Sequence, residues 1–206
     1  MSGGNYDEIL KNKSEPLGLI RAFADLQEHN SAKERTILSV DTGSLFLAKM
    51  GLLQGLAATT HPDHYITLEI LAQESAQKEL ETRTEVLCDG ERYVVNQGRF
   101  DLGEDLEHNP YVFKKVPGKK SQAPPGPLRK GSEVRRMSNA RRESIIRRST
   151  MRLGGMRVVT AGGSVCGIDA AMYLVSALVS HDSAQQVSDR MQYSWQKGVV
   201  VDSIDV

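Results

Sequence analysis

Apolar positions follow two rhythms along the chain, and their alternation predicts the elements. Leu19, Ile20, Phe23 and Leu26 recur at helical spacing behind Pro16, which predicts a helix over 16–29 with these four on one side. Thr36-Ile-Leu-Ser-Val40 reads as a short apolar strand. A helix carrying Leu45, Leu47, Ala48, Leu52 and Leu53 follows it, with Gly51 and Gly55 marking its end. Ala57 to Pro62 reads as a second extended piece stopped by proline, and residues 63–80 as a helix with Ile66, Ile70 and Leu71 as its apolar side. Around the turn Asp89-Gly90, the runs 84–88 and 92–96 predict a β-hairpin. Periodicity fails over 103–155, where five prolines lie among Gly, Ser, Lys and Arg, and that composition predicts a disordered insertion. Order resumes with a strand at 156–160, the glycine turn Ala161-Gly-Gly163, helices near 165–179 and 183–195, and the apolar tail Val199-Val-Val201. Strands alternating with helices predict one α/β domain, contributed by 1–102 and 156–206, with a parallel sheet covered on both faces.

Charge changes this picture more than composition does. The chain has 206 residues, 39% of them hydrophobic and 5% aromatic, enough for one domain with an aliphatic core. It has no apolar run of membrane-spanning length, and Met1 to Glu8 carries neither a basic leader nor an apolar signal core, so a cytoplasmic protein without a membrane partner is expected. Cys88 and Cys166 have neither zinc-ligand nor Cys-x-x-Cys spacing and read as buried free thiols, so no metal and no cofactor is expected. The formal net charge of zero hides a division: residues 114–152 hold 13 of the 26 Lys and Arg against Glu133 and Glu143 alone, a net of +11, which leaves −11 elsewhere.

The most informative chemistry lies at Asp41. An apolar strand, a sharp corner between Ser39 and Gly43, and an apolar helix make the pattern of a nucleophile elbow, in which small flanking residues let a strained turn hold one side chain up. A thiol or hydroxyl belongs at such a corner, and here the residue is a carboxylate. Two readings stay open. Asp41 can act as a covalent nucleophile, which then needs a base to activate water, or it can simply cap the following helix.

Several segments together resemble one known family. Ser39-Val-Asp41-Thr-Gly-Ser-Leu-Phe-Leu-Ala-Lys-Met-Gly, then Ala58-Thr-Thr-His61, then Thr160-Ala-Gly-Gly and Gly167-Ile-Asp169-Ala-Ala resemble the ThiJ/PfpI superfamily. The likeness is nearest to its class I glutamine-amidotransferase-like members, which include isonitrile hydratases and domains of some transcription regulators. The resemblance spans about 17–100 and 156–196, and it implies a flavodoxin-like, doubly wound parallel sheet without its first βαβ portion. It also implies a cysteine where Asp41 stands and an acidic partner from a first strand that this sequence does not contain. The expected protein is therefore a non-catalytic domain with a ligand- or protein-binding role. The alternative is an isonitrile hydratase-like or hydrolase-like enzyme using Asp41.

The resemblance implies that His61 lies near the elbow, either as the base or as a packing group, and that Thr42, Gly43, Gly162 and Gly163 line a ligand site. His61 and His64 form a two-residue metal pattern with no further ligand spacing, so no metal is assigned. Cys166 reads as a small packing residue, and Asp169 as a first-turn acid favourable to its helix dipole. A homodimer is an expected partner, since related domains often dimerise.

The basic segment repeats Arg135-Arg-Met-Ser138, Arg141-Arg-Glu-Ser144 and Arg147-Arg-Ser-Thr150 at a six-residue period. That period turns successive arginine pairs about 240° around a helix and denies them a common face, so an extended chain suits it better. Ser138, Ser144 and Thr150 fit the consensus of basophilic protein kinases, which makes such a kinase an expected partner and a phosphoregulated interaction protein a further alternative. Nucleic-acid binding is not favoured, because no aromatic residue follows Phe113 within the segment to stack on bases.

Overall fold

A computed structural model describes residues 5–79, 83–96, 111–114 and 152–201. The phosphorylation candidates Ser138, Ser144 and Thr150 lie outside these residues. The order is α1 (Tyr6–Asn12), α2 (Leu17–His29), β1 (Thr36–Val40), α3 (Gly43–Lys49), β2 (Ala57–Ala58), α4 (Tyr65–Glu79), β3 (Glu85–Val86), β4 (Tyr93–Asn96), β5 (Val112–Lys114), β6 (Arg157–Ala161), α5 (Ser164–Leu178), α6 (His181–Met191) and β7 (Gly198–Val201). Short 3-10 turns at Pro62–His64 and Arg152–Gly155 precede α4 and β6.

The main sheet runs β1-β6-β4-β7-β5, and β2 pairs with β3 separately. The molecule is thus of mixed α/β class with a mostly parallel central sheet. It departs from an all-parallel sheet at one ladder: β4 runs antiparallel to β6, while β1–β6, β4–β7 and β5–β7 are parallel. As a result, the row Val40, Ala161 and Tyr93 joins the C-terminal ends of β1 and β6 to the N-terminal end of β4.

Alternation along the strands divides the core between the two faces. Ile37 and Val158 pack with α2, α3 and α4, whereas Leu38, Val159, Tyr93, Val95 and Val200 pack with α5 and α6. Val94 and Val201 lie under the β2–β3 pair with Ala57 and Leu87. Leu45, Leu47 and Leu53 are wholly buried, and each contributes about 2 kcal/mol of transfer free energy to anchoring α3 and the loop after it. The Asn96 side chain ties β2 to the main sheet as a peptide group would, accepting from Ala57 N at 3.0 Å and donating to Ala57 O at 2.6 Å.

Four expectations are corrected. The runs around Asp89-Gly90 do not form a hairpin: β3 joins β2 in parallel, and β4, buried along its length, inserts between β6 and β7. Residues within the expected disordered insertion are ordered at both margins, as strand β5 at the sheet edge and as the turn Arg152–Gly155. α2 buries Leu17, Ile20, Ala24 and Gln27, not Leu19 and Leu26: the first three join the core cluster with α3, α4 and Leu153, and Gln27 bonds to Gly154 O. α4 likewise buries Leu68, Leu71 and Ala72 against α3 while Ile66 and Ile70 face outward.

Candidate functional site

The corner at Asp41 has φ +58°, a left-handed conformation that costs a non-glycine residue about 1–2 kcal/mol. Aspartate is among the few side chains that tolerate it, and the surrounding bonds hold it in place. Its N–H donates to Gly162 O at 2.6 Å and to Ala161 O at 3.1 Å, just past the end of β6. Its carbonyl accepts from Thr60 Oγ1 at 3.0 Å and from Ser44 Oγ at 3.3 Å. The ends of β1, β6 and β2 therefore converge on one residue, and Thr59 N adds a bond to Thr160 Oγ1 at 2.9 Å. Ligands of open α/β sheets bind at such carboxyl ends of parallel strands.

The carboxylate itself does not cap α3. The N-cap is Thr42, and Asp41 Oδ1 accepts from the Thr42 N–H at 2.7 Å, one position short of the helix. A donor that could meet a ligand's negative charge is thus already occupied by the protein's own oxygen. Thr42 and Gly43, expected to line the site, are buried.

The structure brings His61 and the glycines together. A side chain at Gly163 would meet His61 Cδ2 at 3.6 Å, and one at Gly162 would meet Cys166 Sγ at 3.4 Å and Thr60 O at 3.5 Å. These are ordinary van der Waals separations, so the two glycines place Thr60, His61 and Cys166 around one turn. His61 Nδ1 accepts the Asp63 N–H at 3.3 Å and lies 3.5 Å from Asp63 Oδ2, which turns this nitrogen toward the following helical turn. His64 packs its ring on Tyr6, with centroids 5.1 Å apart. Among the described residues, no group of three or more His, Cys, Asp or Glu is placed to hold a metal ion.

Cys166 is half-buried and packs with the α5 side of the core, but Cys88, also expected inside, is exposed. Asp169 differs more from its expected dipole role. It is wholly buried and accepts from Arg92 Nε at 2.6 Å, Arg92 Nη2 at 2.5 Å, Tyr193 OH at 2.9 Å and Gln196 N at 2.9 Å. Burial alone would lower the Arg92 guanidinium, yet its hydrogen bond to Asp169 and that residue's charge outweigh the effect and raise it. Burial, then the bond to Asp169, raises the Tyr193 hydroxyl. Arg92 also offers its carbonyl to Gly162 N at 3.0 Å, so the network bears directly on the turn beside Asp41. Sequence reading missed Arg92 and Tyr193, and Asp169, expected in the first turn, lies past it as the sixth residue of α5.

Among the described residues, no helix is long and apolar enough to cross a membrane. No protein-family model matches the chain, and no curated protein matches it.

Proposed function

We propose that the protein is a ThiJ/PfpI-like, glutamine-amidotransferase-like domain that has exchanged thiol chemistry for binding. The observation carrying this reading is the geometry at Asp41: a strained strand-to-helix corner of nucleophile type whose side chain is a carboxylate bonded to its own neighbour's N–H. The two parallel units β1–α3 and β6–α5 support a flavodoxin-like arrangement around that corner. A small ligand or a partner's side chain would enter over Gly162 and Gly163, beside His61 and Cys166.

Attack by Asp41 would demand a base aimed at water on the reacting side. His61 Nδ1 is engaged with Asp63, which favours a positioning role for that ring. The test is intact-mass and peptide-mapping mass spectrometry after exposure to an aliphatic isonitrile and, separately, to an alkyl halide. The reading expects unchanged isonitrile and alkylation confined to cysteine. An ester on Asp41, or hydration of the isonitrile to its formamide that is lost in both Asp41→Asn and His61→Gln, would replace it with the enzyme reading.

A further inference from the structure

The outer face of α2 carries none of the groups that form the Asp41 site. Leu19 and Leu26 are 67% and 57% exposed, and with the exposed Ala22 between them they form an apolar stripe along one side of the helix. Glu15, Pro16, Gly18, Leu19 and Ala22 line a shallow hollow at its start. Exposed Glu15, Asp25 and Glu28 give this region acidic character against the single Arg21.

Two observations bear on its occupant. First, the turn Arg152–Gly155 is packed onto the C-terminal half of α2: Gln27 Nε2 donates to Gly154 O at 2.9 Å, and a Cβ on Gly154 would lie 3.1 Å from Glu28 Cα. Arg152 is itself anchored nearby through Gly51 O at 2.6 Å and Gln54 Oε1 at 2.9 Å. Arg152 is therefore fixed near the C-terminal end of α2, from which an extended chain can reach the stripe on the helix's outer side. Second, residues 141–151 have the complementary chemistry. Arg141, Arg142, Arg147 and Arg148 against Glu143 give a net of +3, and Ile145, Ile146 and Met151 are apolar. Eleven residues reach about 36 Å when extended, whereas the 13-residue helix is about 20 Å long.

We propose that residues 141–151 dock on the α2 stripe within the same chain, Ile145 and Ile146 against Leu19, Ala22 and Leu26, with the arginines facing Glu15, Asp25 and Glu28. Phosphorylation by a basophilic kinase releases them. In that step the hydroxyl oxygen of Ser144 or Thr150 bonds to the γ-phosphorus of ATP, the bond to the β-phosphate oxygen breaks, ADP leaves and the hydroxyl proton passes to solvent. Two phosphates add about −3 to −4 of charge, which cancels the +3 that holds the segment on an acidic helix. The inference does not depend on what the Asp41 site binds.

Ala22→Cys places a thiol at the centre of the stripe at an exposed position, leaving both leucines, and exposed Cys88 serves as an internal reference. Maleimide labelling is followed by mass spectrometry on the full chain in three forms: otherwise unchanged, with Ile145→Asp and Ile146→Asp added, and after treatment with an Arg-Arg-x-Ser kinase and ATP. Docking predicts that position 22 labels about tenfold faster in the second and third forms while Cys88 keeps its rate. Equal rates in all three would overturn the docking. Protection that grows with protein concentration would overturn it in favour of a second copy covering the stripe. Acceleration by the double substitution but not by the kinase would overturn the regulation.

Discussion

At the scale of single residues, the site depends on how tightly Asp41 is held. Ser39 and Gly43 announce the corner in sequence because only small neighbours allow it, and the φ of +58° at Asp41 is the strain those neighbours accommodate. Asp41→Ala keeps the left-handed backbone and loses the 2.7 Å bond to Thr42 N, whereas Asp41→Gly loses the bond but relieves the strain. Asp41→Ala is therefore expected to be the less stable of the two by about 1 kcal/mol, read from urea midpoints. Asp169 was legible only as a helix-start acid, since its partner Arg92 lies 77 residues away and no local pattern links them. Removing its charge strands the Arg92 guanidinium against a neutral group, so Asp169→Asn is expected to cost about 3 kcal/mol and Tyr193→Phe about 1 kcal/mol by the same measurement.

At the scale of elements, the order of helices and strands was readable and the partners were not. Period and breakers located α2, β1, α3, α4, β6 and α5, because these depend on local spacing. The inward face of α2 is met by partners remote in sequence, among them the turn at Gly154, 127 residues from Gln27, and the strands flanking Asp89-Gly90 part company because β4 finds two long-range neighbours. The packing of α5 on β1 beside the elbow gives a test at this scale. A Cβ on Gly167 would stand 2.7 Å from Val40 Cγ1, the residue just before Asp41. Gly167→Ala is expected to lose about 1–3 kcal/mol, and Val40→Ala to restore most of it in the double variant, since the clash needs both side chains.

At the scale of the whole molecule, an acidic body carries one basic segment, and a sheet with one antiparallel ladder joins two cores. The charge division was visible in the sequence. The mixed sheet was not, because the direction of β4 is set by long-range pairing and not by anything within Tyr93–Asn96. On the α5 side of the sheet, Tyr93 is wholly buried and donates to Tyr111 O, and burial holds its hydroxyl well above the usual phenol range. The folded chain then keeps a proton that the unfolded chain releases above about pH 10, so this contribution is complete below pH 10 and declines as pH rises, by up to about 1.4 kcal/mol per unit. Urea midpoints are expected to drop between pH 9 and pH 11, with a shallower decline in Tyr93→Phe.

The central claim is that position 41 is a nucleophile's seat holding an acid, and the most direct measurement is to put a thiol back. In Asp41→Cys, the rate of iodoacetamide labelling at position 41 is compared with that at exposed Cys88 in the same molecule across pH 5 to 9. The account predicts that the introduced thiol labels faster than Cys88 at pH 6, with its half-point well below the ordinary thiol value of about 8.5, because the Thr42 N–H freed by losing the carboxylate stabilises the thiolate. A thiol at position 41 that titrates like Cys88 or labels more slowly at every pH would contradict it.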